Sequence, residues 1–163
     1  MPITDLTRNT DELTLQITMH FEASAERVWR LWDDPRQLER WWGPPTYPAT
    51  VIDHDLRPGG HVSYYMTGPE GDQPKGYWRV REVDPPTRLV FEDGFADDAG
   101  APNDELPVTV SEVTIETADL SGTTMRILTR FPSAEAMQQL IDMGMEEGIR
   151  EAAGQIDGLL AED

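Results

Sequence analysis

The feature that most constrains the fold is a run of apolar residues near the end of the chain, between Ser133 and Leu160. These residues recur at helical spacing over about seven turns. Ser133 is of the type that caps a helix, here one beginning at Ala134. We therefore predict one long amphipathic helix, whose apolar face must be covered by another layer. That face carries Met137, Leu140, Ile141, Met145, Ile149, Ala152, Ile156, Leu159 and Leu160.

Four glycines interrupt this predicted helix, at Gly144, Gly148, Gly154 and Gly158. Each of them lowers helix stability by roughly 1 kcal/mol relative to alanine, so the helix needs support from the rest of the fold. Gly144 and Gly148 lie about one turn apart, beside the apolar face. Their missing side chains are expected to leave a notch (Gly144 and Gly148). The pattern predicts a helix gripped by a sheet, with free space beside it.

The rest of the chain predicts an α+β fold, because strands form one group and helices lie apart from them. Apolar residues alternate with polar ones from Leu13 to Phe21, as in a half-buried strand. Two short helices follow, and then about six strands reach Phe131. Residues 1–11 are polar without periodicity and predict a flexible N-terminal tail. Residues 12–163 are expected to form a single domain.

Three local features lie in the strand region. The segment from Asp93 to Leu106 is acidic and contains Gly and Pro, so it predicts a loop. In the strand from Val108 the apolar positions change phase, which predicts a β-bulge near Ser111 and Glu112. A final hairpin is expected to turn at residues 120–122.

The charge of the chain excludes some partners. Thirty-one acidic residues oppose thirteen basic ones, for a net charge of −18 in 163 residues. Nucleic acid is not an expected partner, because binding to phosphates needs a basic surface. An anionic membrane surface is disfavoured for the same reason.

Several other sites are excluded by what the sequence lacks. Without cysteine the chain has no disulfide, no thiolate metal ligand and no cysteine nucleophile. Three scattered histidines give no metal-binding spacing, so no metal and no cofactor is expected. Neither a membrane-spanning apolar run nor a secretory signal is visible, which leads us to expect a cytoplasmic location.

Four motifs in order carry a resemblance to a known family. They are F-x-A-S-x-E-x-V-W at 21–29, D-P-x-x-L-x-x-W-W-G-P at 34–44, D-L-R-P-G-G at 55–60, and V-D-P-P-x-R-L-V-F at 83–91, with Gly76 preceding the last. The chain resembles the Aha-type family, the activator-of-heat-shock-ATPase-homologue-like proteins of the START-like, birch-pollen-allergen superfamily. The resemblance implies the helix-grip fold, a curved antiparallel sheet of six or seven strands wrapped around a long C-terminal helix. A cavity is expected between them.

The resemblance implies a binding role more directly than a reaction. Superfamily relatives bind lipids, hormones or polyketides, and the family has no universal catalytic motif to carry over. We therefore expect an apolar or amphipathic small molecule as partner, with no assigned catalytic residue. The namesake stimulates the ATPase of the ninety-kilodalton heat-shock chaperone. This suggests a stress-response adaptor as an alternative, with a chaperone or a second copy of the chain as partner.

The candidate ligand-binding residues are aromatic side chains, methionines and the notch. Trp41 and Trp42 are interpreted either as the entrance of a pocket or as core packing. His54 shares the phase of Ile52 and Leu56, and is interpreted either as a polar contact in the cavity or as a satisfied histidine. The full predicted set is Trp41, Trp42, His54, Tyr64, Met66, Trp78, Phe91, Met125, Met137, Ile141, Gly144, Met145 and Gly148.

Two other functional hypotheses make separate structural demands. A chaperone adaptor needs an exposed apolar patch, expected around Trp41 and Trp42. A cyclase or hydratase needs polar groups that converge in the cavity, expected to be His54 with Tyr64 or Glu112. The ligand-binding module is the preferred hypothesis, because the helix notch and the resemblance both favour a cavity.

Overall fold

The computed structural model describes residues 3–118 and 122–162. In this part of the chain eight strands form one antiparallel sheet, in the spatial order β1-β2-β8-β7-β6-β5-β4-β3. The strands are β1 Ile3–Asn9, β2 Thr14–Phe21, β3 Ala49–His54, β4 His61–Met66, β5 Lys75–Asp84, β6 Arg88–Ala96, β7 Thr109–Thr117 and β8 Thr123–Arg130. The helices are α1 Ala25–Asp33, α2 Pro35–Trp41, α3 Ala134–Asp142, α4 Met145–Ala153 and α5 Ile156–Leu160.

The predicted α+β class and helix-grip architecture are confirmed. The inner face of the sheet can be followed across the strand register, as from Met19 to Met125 to Ile115. Those side chains are buried in one cluster with Ala153, Ile156 and Leu159 of the C-terminal helices. The sheet therefore buries its inner face against the helical segment, as the amphipathic pattern requires.

The two short helices are closed by side-chain caps that the sequence indicates. Ser24 accepts a hydrogen bond from the backbone of Arg27 at 3.1 Å, and Asp34 accepts one from Arg36 at 2.9 Å. Arg27 then connects α1 to the C-terminal segment, donating from Nη2 to the carbonyl of Leu159 at 3.2 Å. These contacts hold α1 and α2 against one end of the gripped helices.

The C-terminal segment differs from the predicted single helix, because it consists of α3, α4 and α5 in succession. Gly144 lies between α3 and α4 with φ +90°, in the left-handed region that residues with a side chain rarely adopt. Its amide donates to the carbonyl of Ile141 at 3.0 Å, which ends the first helix. A second interruption falls at Gly154 and Gln155. The apolar periodicity survives these breaks, which is why the sequence reads as one helix.

The predicted flexible tail is wrong for Ile3–Asn9, which forms edge strand β1 paired with β2. The register of β1 shifts between Ile3 and Asp5, so Ile3 and Leu6 both pack against the core although they are three residues apart. This bulge destroys the period of two by which a strand is recognised. Residues 1–2 lie outside the described part of the chain.

The bulge predicted near Ser111 and Glu112 is also wrong. Strand β7 keeps an uninterrupted register with both neighbours, and Thr109, Ser111, Val113 and Ile115 all lie on its buried face. The apolar pattern changes phase because two inward positions are polar, while the strand itself is regular. Register shifts occur instead between Val51 and Asp53 and between Val80 and Glu82. Of the turn predicted at 120–122, residues 120 and 121 lie outside the described residues.

The predicted acidic loop begins later than expected. Strand β6 continues to Ala96, so Asp93 is a strand residue paired with Trp78 of β5 and Thr109 of β7. None of the helices within residues 3–118 and 122–162 is long and apolar enough to cross a membrane.

Candidate functional site

A cavity of about 310 Å³ lies between the sheet and the C-terminal helices. Strands β2, β4, β6, β7 and β8 contribute to one wall, and α3 and α4 contribute to the other. Trp41, Trp42 and Pro44, at the end of α2 and just after it, also line the cavity. A volume of this size is at the lower end of the range for small-molecule sites.

The helix wall is apolar and has open space at its glycines. Outside its own helix, no atom lies within 4 Å of the position that a Cβ of Gly148 would occupy. The same is true of Gly144, which is exposed at the break between α3 and α4, and both glycines border the cavity. Around it the helix wall consists of Leu140, Met143, Met145, Ile149, Ala152 and Ala153.

The sheet wall carries a polar group of side chains next to its apolar ones. Thr109, Ser111 and Thr129 are each about 5% exposed or less and line the cavity. The hydroxyls of Ser111 and Thr129, which face each other across β7 and β8, lie 3.2 Å apart. Asp93 pairs with Thr109 in register, so its carboxyl joins the same group. We call Asp93, Thr109, Ser111 and Thr129 the polar wall.

Burial changes the ionisation of Asp93. Desolvation raises the pKa of its carboxyl from 3.8 to about 7, and a hydrogen bond from Tyr64 acts weakly in the opposite direction. The Tyr64 hydroxyl donates to Oδ1 of Asp93 at 3.5 Å, which is long for such a bond. The side chain of Asp93 is half-buried, because part of its surface borders the cavity. Protein atoms still surround the carboxyl closely enough for desolvation to be the main cause of its raised pKa.

The Tyr64 side chain crosses β5 to reach Asp93 on β6, because the β5 residue beneath its ring is a glycine. Gly76 of β5 pairs with Tyr64, and a Cβ at Gly76 would lie 2.4 Å from both Cζ and the hydroxyl oxygen of Tyr64. The absence of a side chain therefore lets the ring cross β5 to β6. Desolvation, followed by the charge of Asp93, raises the pKa of Tyr64 well above its usual value.

The indole N–H of Trp42 lies next to the Tyr64 hydroxyl. Its Nε1 is buried and has no hydrogen-bond partner among the residues that the structure describes, although the indole is near enough to the Tyr64 hydroxyl to lower the pKa of that group. The N–H lies beside the Tyr64 hydroxyl oxygen, but the geometry between the two groups falls short of a hydrogen bond. Buried polar groups of this kind are rare in folded proteins.

Eight of the thirteen predicted site residues line the cavity. They come together from α2, β4, β6 and the C-terminal segment: Trp41, Trp42, Tyr64, Met66, Phe91, Gly144, Met145 and Gly148. Trp41 is 3% exposed and packed in the core, as one interpretation expected, and it also borders the cavity. That the tryptophan pair forms the entrance of a pocket stays a prediction. Whether these residues bind a ligand stays a prediction.

The other five predicted residues do not line the cavity. Nε2 of His54 lies 2.8 Å from the carbonyl oxygen of Trp32, and the bulge after Val51 leaves Ile52 exposed, so the predicted phase fails there. Trp78 is fully buried and stacks on Phe91 with ring centroids 4.1 Å apart. The remaining three, Met125, Met137 and Ile141, pack in or against the two apolar clusters.

Sequence reasoning missed the polar wall. Asp93 was assigned to a loop, and Ser111 was explained by a bulge. The signal was present, because two polar residues on one face of an otherwise apolar strand either mark a bulge or face a polar part of the interior. Only the register of β7 against β6 and β8 distinguishes these two cases.

The residues named for the enzyme hypothesis are not brought together. Glu112 binds Arg88 at 2.6 Å and His54 contacts Trp32, so neither lines the cavity with Tyr64. Among the residues that the structure describes, no group of three His, Cys, Asp or Glu side chains is placed to hold a metal ion.

An exposed apolar patch is not found where the adaptor hypothesis expected one. The large apolar side chains that stand exposed in the described part of the chain are Ile52 and Met143. Trp41 is buried, and Trp42 is packed at 4.9 Å between ring centroids against Trp78. The tryptophan pair therefore faces the interior.

An open antiparallel sheet that grips C-terminal helices, with a cavity between the two, defines a START-like helix-grip protein. The profile of the "Activator of Hsp90 ATPase homolog 1-like protein" family matches residues 22–161. The chain belongs to this family. No curated protein is similar enough to give a match.

Solved structures of similar proteins cover nearly the whole chain. The crystal structure of protein Ms6760 from Mycobacterium smegmatis is 50% identical, with a TM-score of 0.89 over 98% of this chain and 97% of that chain. A solution structure of a protein from Arthrobacter aurescens is 48% identical, with a TM-score of 0.94 over 98% and 92%. A protein from Rhodobacter sphaeroides, 23% identical with a TM-score of 0.82 over 98% and 99%, shares the fold.

Proposed function

We propose that this protein binds a small apolar or amphipathic molecule in the cavity between the sheet and the C-terminal helices. The observation that carries the proposal is the empty volume at Gly148, which opens onto a cavity with largely apolar walls. Glycine costs roughly 1 kcal/mol relative to alanine in a helix, and Gly148, unlike exposed Gly158, borders the cavity. Retaining glycine there is explained if a ligand occupies the space.

The fold supports this proposal over the adaptor hypothesis. The aromatic side chains of Trp41 and Trp42, which would have formed an exposed patch, instead line the cavity. Burying an apolar ligand against them removes apolar surface from water, which is favourable by about 25 cal/mol per Å². The chaperone and second-copy partners stay predictions from the sequence, without a specific feature here that favours them.

The proposal is tested with a neutral, environment-sensitive probe, N-phenyl-1-naphthylamine. Its fluorescence should rise on addition of the folded protein and saturate near one molecule per chain. Gly148→Leu, which places a side chain in the empty volume, should abolish this binding. Gly148 is chosen over Gly144 because the φ of +90° at Gly144 would strain any substitution.

Gly158→Leu is the matched control. Gly158 is also helical with open space around it, but it is exposed on α5 and does not line the cavity. This variant should bind the probe like the original protein. Equal binding by the Gly148→Leu and Gly158→Leu variants would mean that the probe adheres elsewhere, and the cavity would lose its role.

A further inference from the structure

We propose that the molecule bound in this cavity carries an organic ammonium group, which pairs with the Asp93 carboxylate beside the aromatic rings of Trp42 and Tyr64. The inference rests on the proposed function of the cavity as a ligand site. It adds the chemical class of the ligand, an apolar or aromatic amine.

The first support is the charge of the cavity. Its lining includes two ionisable side chains, Asp93 and Tyr64, and has no Lys, Arg or His in the described part of the chain. An anionic ligand would place its negative charge near the Asp93 carboxylate, and no cation of the lining would balance the two negative charges. A cationic ligand would supply the missing counter-charge, and buried charges in proteins are normally paired.

The second support comes from the groups that face Asp93. Asp93 pairs with Trp78 on β5 and with Thr109 on β7. The hydroxyl of Tyr64, on β4, lies 3.5 Å from Oδ1 of Asp93. Leu140 of α3 and Ile149 of α4 form the opposite wall and carry no charge. No positive side chain within residues 3–118 and 122–162 contacts the carboxyl, so a cationic ligand in the cavity would be its counter-charge.

The third support is the aromatic surface next to this carboxyl. The rings of Trp42 and Tyr64 are nearly perpendicular, at 83°, with centroids 6.2 Å apart. Phe91 lies 6.3 Å from Trp42 and follows the same face of β6 as Asp93. Aromatic faces attract a cation through the ring quadrupole, and indole does so most strongly. The cavity lining thus brings two aromatic rings and a carboxyl together, and both kinds of group attract an ammonium.

The ionisation of Asp93 agrees with this arrangement. With a pKa of about 7, the carboxyl is close to half ionised in the empty protein at neutral pH. A bound cation favours the charged form and should lower this pKa. The pairing would therefore become stronger as pH rises from 6 to 8.

The test compares three probes that share one apolar body: 4-phenylbutylamine, 4-phenylbutan-1-ol and 4-phenylbutanoate. Each displaces N-phenyl-1-naphthylamine from the protein at pH 8. We expect the amine to bind at least tenfold more tightly than the alcohol, and the carboxylate at least tenfold more weakly than the alcohol. Between pH 8 and pH 6 the amine should lose about tenfold in affinity, because Asp93 becomes largely protonated while the amine stays charged.

Asp93→Asn and Asp98→Asn separate the local carboxylate from the overall charge. Both remove one negative charge, but Asp98 is exposed in the loop after β6 and does not line the cavity. Asp93→Asn should reduce the affinity of the amine to that of the alcohol and remove its pH dependence. Asp98→Asn should retain the full preference for the amine.

Two results would overturn the inference. One is a carboxylate that binds as tightly as the amine, and the other is a preference for the amine that survives Asp93→Asn. If the alcohol still binds and Gly148→Leu still blocks it, the cavity remains a ligand site and only the ammonium is wrong. If none of the three probes displaces the fluorophore, the ammonium inference fails, whereas the proposed function fails only if Gly148→Leu leaves binding of the fluorophore intact.

Discussion

The hydroxyl of Tyr64 lies 3.5 Å from Oδ1 of Asp93, although the two residues belong to strands that are separated by β5. The contact exists because Gly76 on the intervening strand leaves room for the tyrosine ring. It places a phenol and a carboxyl in a cavity whose other walls are mostly apolar. This arrangement sets the ionisation of Asp93 and supports most of the predictions below.

Tyr64→Phe should raise the pKa of Asp93 further above about 7. The tyrosine hydroxyl stabilises the charged carboxylate by a hydrogen bond, and removing it leaves desolvation unopposed. The measurement is the titration of the Asp93 carboxyl carbon by NMR. Tyr65→Phe is the control, since Tyr65 is the next residue of β4 and does not line the cavity. An unchanged or lowered pKa in the Tyr64→Phe variant would contradict the assignment.

Gly76→Ala should shift the Asp93 titration in the same direction. The added Cβ would meet the Tyr64 ring at 2.4 Å, so the hydroxyl must move away from Asp93. Over-packing of this kind costs about 1–3 kcal/mol in stability. Gly148→Ala is the control, because its Cβ would meet open space. The NMR titration and urea unfolding measure both effects, and an intact stability with an unmoved titration would show that the ring is not held by Gly76.

Asp93→Asn should raise the free energy of unfolding at pH 8, and should raise it by less at pH 5. The folded pKa of about 7 exceeds the usual 3.8, so the folded chain binds more protons than the unfolded chain between these values. The contribution of Asp93 to the free energy of unfolding therefore falls as pH rises through that window. The variant should gain about 1–3 kcal/mol at pH 8, less than the full shift implies, because Asp93 keeps some solvent contact.

Urea unfolding of both proteins at several pH values measures this difference. Comparing the two proteins cancels the titration of the other carboxylates, which are numerous in a chain of net charge −18. Asp98→Asn, which removes an exposed carboxylate from the loop after β6, is the charge-matched control. A gain from Asp93→Asn that is constant from pH 5 to pH 8 would mean that Asp93 is not perturbed.

Gly148→Leu should leave the free energy of unfolding unchanged or raise it by up to about 1 kcal/mol. Helix propensity improves by roughly this amount, and the new side chain enters empty volume. Gly158→Leu should give a similar gain without touching the cavity. Urea unfolding compares the two variants. A loss of about 1–3 kcal/mol in the Gly148→Leu variant alone would indicate over-packing and hence no usable space.

Added salt should stabilise the fold. The net charge of −18 makes the compact state repel itself, and salt screens that repulsion. The Debye length falls from about 30 Å at 0.01 M to about 10 Å at 0.1 M salt. The melting temperature should rise over this range. A melting temperature that stays constant would show that acidic side chains are spaced widely enough to have little effect.

The sequence alone determined that an apolar C-terminal helical segment is gripped, the α+β class and eight residues of the cavity lining. These follow from local patterns, since apolar residues at helical spacing need a covering layer whatever the connections are. The glycine pattern also predicted open space at 144 and 148, and both residues line the cavity. The family motifs predicted the same helix-grip fold.

Only the tertiary structure decided the chemistry of the cavity. Asp93, Ser111 and Thr129 are far apart in the chain, and strand register alone brings them to one wall. The contact from Tyr64 depends on Gly76, which lies on a third strand. The bulge in β1 and the helix break at Gly144 likewise alter the path of the backbone without a clear mark in the amino-acid pattern. Pairing between strands is non-local, so a pattern read along one chain can place apolar residues inside but cannot tell which polar residues meet there.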